Sequence, residues 1–463
     1  MFKAVTYLPL VLAFLGLASR SEGGGFLGKS PRLWVVIATL AVIQVLIVLF
    51  RQRLPKTKGP ALVLVLLASL VLFELTGLAV APYLPIDLVL ETPEWLKDRL
   101  PESYFERSNY RAARKSEIDE DPVLGFQYAP RLNAVIRHGD IRYGLVTDAR
   151  GFANLDESLY EAADIVVAGD SFTMGSGVEL IESWPQHLAR LTGMRVLNLG
   201  TAGWDIYQYP RVIAKYGIGA APKAFVVTLT TSNDLSPRFY DYEDYRAAHP
   251  DTAGYRDFKR RTAVRYPADN YLLLTGQLAM VMAPFTTASA VYVYNKVTHL
   301  ESVCNFRLNG KTLGFMFGAS QWRRTRREDN QTRLAYFDRV VRDLTAIAQM
   351  AKRIGAEAYF AYVPGPEEIY VPLLGMAEGR DACAQSLYER HTSGEFDFER
   401  VSRVYEKAIQ GDRRSFLNLT EPLRQKAVTG EQLVWVHDFH PNKLGHMRIA
   451  EAIAALAGFG RKT

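Results

Sequence analysis

Asp164-Ile165-Val166-Val167-Ala168-Gly169-Asp170-Ser171-Phe172-Thr173 is the stretch on which the fold turns. A short apolar run rich in β-branched residues breaks at Gly169, and Gly175 and Gly177 follow closely. The run predicts a buried strand over 164–168 with a serine just past its C-terminal end. In an open sheet of parallel strands, that end is where ligands bind. A helix starting behind the serine offers N–H groups to developing negative charge.

Further β-rich runs at 195–199, 224–230, 356–363 and 432–436 alternate with helix-period segments at 182–191, 207–216, 334–354 and 443–457. This alternation predicts an α/β fold, a three-layer α/β/α sandwich around a five-stranded parallel sheet. It occupies residues 161–463. Residues 85–160 read as a lead-in: a juxtamembrane amphipathic helix over 86–105, then short strands over 131–152 with turns at His138-Gly139-Asp140 and Arg150-Gly151. About 100 residues, 235–333, separate the third strand from the next long helix, far beyond an ordinary connection. They form an insertion rich in tyrosine (Tyr240, Tyr242, Tyr245, Tyr255, Tyr266, Tyr271) that serves as a lid or wall setting substrate choice. Its cluster Arg323-Arg324-Thr325-Arg326-Arg327 reads as a solvated helix start, with a site for an anionic polymer as the alternative.

The ends of the other strands also carry chemistry. The second run leads into Asn198-Leu199-Gly200-Thr201-Ala202-Gly203-Trp204, where glycine lets a backbone N–H approach a bound group. The third ends in Thr231-Ser232-Asn233-Asp234, which places an amide side chain at the same sheet edge. Near the C-terminus comes His437-Asp438-Phe439-His440-Pro441-Asn442. Taken singly, these read equally as turn glycines, a helix cap and a loop histidine. Taken in chain order, they supply a nucleophile, hydrogen-bond donors and a base.

That ordered set resembles the SGNH hydrolase family, also called GDSL-type esterases, of the membrane-anchored bacterial kind. The match covers about 164–457 apart from the insertion, and the stretch around Gly151-Phe152 is similar to the lead-in of many bacterial members. The resemblance implies a flavodoxin-like sheet with Ser171 as nucleophile, Ser171, Gly203 and Asn233 as oxyanion donors, and His440 as base. It implies acyl transfer through a covalent intermediate, with Asp438 orienting the imidazole. The common family spacing is Asp-x-x-His, whereas this chain has Asp438-Phe439-His440; some membrane-linked relatives share the shorter form. If Asp438 points elsewhere, a Ser–His dyad remains. Asp170 is expected to shape the turn, and His437 and His446 to be structural. Trp204 reads either as a stacking surface for a sugar or as core.

The chain has 463 residues, 55 Lys plus Arg against 49 Asp plus Glu, and a formal net charge of +6. Eight of the basic residues and two of the acids lie in residues 1–84, leaving 47 of each sign beyond. A neutral remainder removes the main support for a nucleic-acid partner. Residues 1–84 hold three apolar runs, roughly 4–19, 33–50 and 61–84, and the last two are long enough to span a bilayer. The first reads as either an anchor or a signal peptide. The loop 51–58 carries four basic residues and is therefore assigned to the cytoplasm, which places the catalytic part on the extracytoplasmic side of the inner membrane. Glu74, inside the third run, reads as a helix-packing contact. Gly23-Gly24-Gly25-Phe26-Leu27-Gly28-Lys29-Ser30 matches the phosphate-binding GxxxxGK(S/T) pattern, but no strand precedes it, so nucleotide binding is not expected. Two cysteines, Cys304 and Cys383, exclude a CxxC metal site; in an oxidising compartment they either pair or remain free thiols.

The sequence thus predicts a membrane-anchored serine esterase acting on acyl esters, O-acetyl esters above all, of a carbohydrate or envelope polymer. It needs no metal or cofactor. O-acyl transfer to an exported polysaccharide beside a membrane-bound partner, and a silent glycan-binding scaffold, are the alternatives.

Overall fold

The structure is a computed structural model that describes residues 117–138, 141–231, 234, 238–250, 254–255, 257–258, 302–317, 336–409 and 415–460. All belong to one of the chain's two compact units, Arg111–Lys259 with Tyr294–Thr463. The other unit, Met1–Tyr110 with Arg260–Val293, lies outside the described residues. So do the expectations for residues 1–84, the helix at 86–105, the arginine cluster at 323–327 and Asn233. Among the described residues, no helix is long and apolar enough to cross a membrane.

Two antiparallel hairpins open the described chain: β1 (Ile118–Asp121) with β2 (Gly125–Tyr128), and β3 (Asn133–His138) with β4 (Ile141–Val146). Then follow β5 (Ile165–Ala168), α1 (Ser171–Met174), α2 (Trp184–Thr192), β6 (Val196–Asn198), α3 (Gln208–Val212), β7 (Ala224–Thr230) and α4 (Arg238–Ala248). The hairpin β8 (Ser302–Leu308) and β9 (Lys311–Phe317) turns through Asn309 and Gly310, both at positive φ. The remainder comprises α5 (Phe337–Ile354), β10 (Glu357–Val363), α6 (Pro366–Tyr370), β11 (Gly379–Arg380), α7 (Ala382–Thr392), α8 (Arg400–Ala408), β12 (Phe416–Asn418), α9 (Thr420–Val428) and α10 (Lys443–Ala457).

Five of these strands form one parallel sheet in the order β12-β10-β7-β5-β6. Alternate side chains of each strand enter opposite layers. Ile165 and Val167 pack with Trp184 and Leu188 of α2 and Ile449 and Ile453 of α10. Val166 and Ala168 pack with Tyr209 of α3 and Leu344 and Ile347 of α5. Both faces are therefore covered, and this is the predicted three-layer α/β/α arrangement. One strand differs from expectation. Residues 432–436 make only an isolated bridge, Val434 to Pro441, and the fifth strand is β12. Three residues are too few to show a period, so the longer apolar run at 432–436 gave the stronger signal.

The lead-in is tied to the sheet by polar side chains. Asn154 accepts the Asn198 N–H (2.9 Å) and donates to the Asn198 carbonyl (2.9 Å), imitating a strand neighbour along β6. Asp148 anchors that segment by accepting from Asn154 Nδ2 (2.8 Å), the Tyr160 hydroxyl (2.7 Å) and the Phe152 N–H (3.1 Å).

Cys304 on β8 is bonded to Cys383 on α7 across 79 residues of sequence. This resolves the alternative between a bond and two free thiols. A cross-link closing a loop of that size restrains the unfolded chain, and replacing both cysteines by alanine is expected to cost about 2–4 kcal/mol. Chemical denaturation of the two proteins measures it, and equal midpoints would refute it.

At the C-terminal end of β10, α6 buries Glu367 and Glu368 side by side. Glu368 accepts from the Tyr362 hydroxyl (2.5 Å) and the Gly365 N–H (2.7 Å). Burial, reinforced by Glu367, pushes its carboxyl up to about 8. Between the ordinary value of 4.5 and 8, the folded protein holds a proton that the unfolded chain has released. Stability from this group therefore falls as pH rises through that window. Glu368→Gln is expected to melt a few degrees higher than wild type at pH 8, with the gap closing toward pH 5. Melting curves that track each other at both pH values would argue against a buried neutral acid.

Candidate active site

Ser171 begins α1, immediately after β5. Asp170 caps the helix by accepting the Phe172 N–H at 2.9 Å, and its other oxygen accepts from the Thr230 hydroxyl at 3.0 Å. This completely buried carboxylate thus fixes the turn that presents Ser171 and links it to the end of β7. It is the turn-shaping role expected of Asp170.

His440 is brought to Ser171 from 269 residues away. Its Nε2 lies 2.8 Å from Ser171 Oγ, and its Nδ1 lies 2.5 Å from Asp438 Oδ1. The same Oδ1 accepts the His440 backbone N–H at 2.8 Å. The short Asp-x-His spacing therefore closes on itself, with one oxygen holding both the ring and the main chain of His440. The imidazole packs on two phenyl rings, 4.4 Å from Phe439 and 5.3 Å from Phe172, which also stack on each other at 6.2 Å, centroid to centroid. His440 and Asp438 keep 16% and 18% of their side-chain surface exposed.

The loop after β6 is held against α1. Asn198 donates from Nδ2 to the Thr173 carbonyl (3.0 Å) and accepts the Gly200 N–H (2.9 Å). The Thr201 N–H donates to the Gly169 carbonyl at 3.1 Å, joining the ends of β5 and β6. Gly203 turns with φ of +82°, a conformation side chains disfavour. The nearest neighbour to a Cβ there would be the edge of the Phe126 ring, at 3.5 Å.

Trp204 takes the packing role of its two readings. It is completely buried, and its indole N–H donates to the Phe126 carbonyl at 2.9 Å, so it offers no face to a sugar. Asn233 lies outside the described residues. Its neighbour Asp234 is buried and accepts from the Tyr209 hydroxyl and the Thr230 N–H, each at 2.5 Å. Burial and the charge of Asp170 raise the Asp234 carboxyl well above its ordinary value. His446 is buried and accepts the Trp184 N–H at Nδ1 (3.2 Å); burial, with His440 nearby, lowers it to about 3 and keeps it neutral. His437 is exposed.

No protein-family profile and no curated protein matches the sequence. Among solved structures, the chain is similar to a protein of the G-D-S-L family, described as lipolytic, from Desulfitobacterium hafniense DCB-2. The identity is 12% and the TM-score 0.28, over 63% of this chain and 99% of that one. It is also similar to LAE5, an alpha/beta hydrolase enzyme from the metagenome of Lake Arreo, Spain, at 12% identity and a TM-score of 0.27, over 66% and 100% of the two chains. At that level of similarity, the chemistry has to come from the site's own geometry.

Several contributors gave little sign of themselves in the sequence. Asn154, Asp148 and Asp234 act through a mixture of backbone and distant side-chain groups, which no residue spacing encodes. Phe439, between Asp438 and His440, is a ring stacked on the imidazole, a role the Asp-x-His spacing does not encode.

Proposed function

We propose that the protein is a serine esterase acting on acyl esters, O-acetyl esters above all, of a carbohydrate or cell-envelope polymer. The observation that carries this reading is the continuous array Ser171 Oγ, His440 Nε2 and Nδ1, Asp438 Oδ1. His440 Nε2 takes the hydroxyl proton as Ser171 Oγ attacks the ester carbonyl, and Asp438 stabilises the imidazolium that forms. The tetrahedral oxyanion is held by the N–H groups of Ser171 and Gly203 and the Asn233 amide, each donor worth about 3–4 kcal/mol of barrier. Collapse expels the alcohol, protonated by His440, and leaves an ester on Ser171. Water, activated by the same imidazole, then releases the acid.

The catalytic part works outside the cytoplasm, anchored to the inner membrane by the apolar runs of residues 1–84. The Cys304–Cys383 bond supports this placement, since such bonds persist in oxidising compartments. Intact-mass measurement during turnover of p-nitrophenyl acetate tests the reading: one acetyl group should appear on Ser171 and disappear as substrate is exhausted. Steady hydrolysis with no acylated protein, even after rapid acid quenching, would count against it. With an acetylated polysaccharide and an unmodified glycan present together, free acetate marks an esterase and a newly acetylated glycan marks a transferase.

A further inference from the structure

Strand β9 is the outer strand of the three-stranded sheet β11-β8-β9. An edge strand leaves alternate backbone N–H and C=O groups without ladder partners. At Gly314 a side chain takes both. The Gln432 carboxamide accepts the Gly314 N–H at Oε1 (3.0 Å) and donates from Nε2 to the Gly314 carbonyl (2.6 Å). A primary amide carries the donor and acceptor of a peptide unit, so Gln432 stands in for one residue of a neighbouring strand. Its Nε2 also donates to the Val434 carbonyl at 2.9 Å. A Cβ at position 314 would crowd its neighbours, 2.6 Å from Asn305 Oδ1 and 3.0 Å from Val436 Cγ1. Val436 therefore rests on the bare face of Gly314, and both ends of segment 432–436 are seated on one residue of β9.

That segment leads directly into the loop bearing Asp438 and His440. Val434 bridges Pro441, and the Trp435 N–H donates to the His440 carbonyl at 3.1 Å. Asn442 closes the base of the loop by donating from Nδ2 to the carbonyls of Gln432 (2.8 Å) and Val434 (3.2 Å). The other side of the hairpin is fixed through β8. Cys304 is bonded to Cys383, and Asp381 accepts both the N–H (2.8 Å) and the Nδ2 (3.1 Å) of Asn305.

We propose that the β8–β9 hairpin, through the clamp of Gln432 on Gly314, holds the Asp438–His440 pair in register with Ser171. Gln432 is then a positioning residue of the acid–base pair, and the β8–β9 hairpin of the insertion supports the chemistry. The inference rests on the esterase reading above.

Gln432→Ala in the full chain, assayed with p-nitrophenyl acetate, is expected to lower kcat by about 10–100-fold with KM within about twofold. The acidic limb of kcat/KM should move to lower pH, because an imidazolium held less well against Asp438 loses its proton more readily. Gln432→Glu keeps an acceptor for the Gly314 N–H and loses the donor, and should fall between the two proteins. Reducing the disulfide under native conditions with dithiothreitol should lower kcat in wild type and have a smaller effect in Gln432→Ala. All rates are taken per folded molecule, with circular dichroism and melting as the check on folding. If Gln432→Ala does not fold, Gln432→Glu carries the test. Wild-type kcat with an unmoved limb overturns the inference alone, as does a loss explained wholly by unfolding. A wild type no faster than Ser171→Ala overturns the esterase reading, and the inference with it.

Discussion

Ser171→Ala is expected to abolish measurable turnover of p-nitrophenyl acetate, with kcat falling about 10⁴–10⁶-fold, or about 5–8 kcal/mol of barrier. The size follows from what the hydroxyl does: without Oγ no acyl-enzyme forms, and only binding and the oxyanion donors remain to assist direct attack by water. Labelling by a serine-directed phosphonate should vanish with it. The fold should survive, because the turn is held by Asp170 through the Phe172 N–H and the Thr230 hydroxyl, while the Ser171 hydroxyl contributes its bond to His440. A melting temperature within about 2 °C of wild type, together with lost turnover, separates catalysis from stability. A variant that keeps wild-type rates would remove Ser171 from the mechanism. His440→Ala should fall nearly as far, and the double variant little further, since the two groups act as one unit.

How much of this the sequence disclosed depends on the kind of signal. Strands buried on both faces announce themselves as apolar runs. Hence 224–230 matches β7 end to end, and the run from 164 falls one residue from β5. The turn expected at His138-Gly139-Asp140 falls in sequence between the end of β3 at His138 and the start of β4 at Ile141, with Gly139 and Asp140 themselves outside the described residues. What stayed hidden acts across long separations. Nothing near Gln432 in the sequence points to Gly314, 118 residues earlier, and β12 is too short to have a period. Ser171 was legible at a strand end and His440 in a motif near the C-terminus, but their 2.8 Å approach is a product of the whole fold. Trp204 shows the opposite hazard: a large aromatic beside a candidate donor suggests a ligand, and here the ring completes the core next to Phe152.

The second large effect concerns Asp438, where geometry predicts an unusual split between two substitutions. An amide that turns its NH₂ toward the imidazole stabilises the wrong tautomer, with losses near 10⁴-fold. Here Oδ1 also accepts the backbone N–H of His440, and a backbone donor requires an oxygen. In Asp438→Asn, that N–H should keep the amide oxygen in place, still accepting from Nδ1–H, so only the negative charge is lost. The expected cost is about 10–100-fold in kcat, with KM nearly unchanged. Asp438→Ala loses the charge, the ring's orienting bond and the backbone bond together, and should cost about 10³–10⁴-fold. Both should move the acidic limb of kcat/KM to lower pH, since a carboxylate beside the ring favours the imidazolium and its removal lowers the imidazole pKa. Equal losses of about 10⁴-fold in the two variants would mean that the backbone bond does not hold the amide. No loss in either would leave His440 oriented by something other than Asp438, and the site would be a Ser171–His440 dyad.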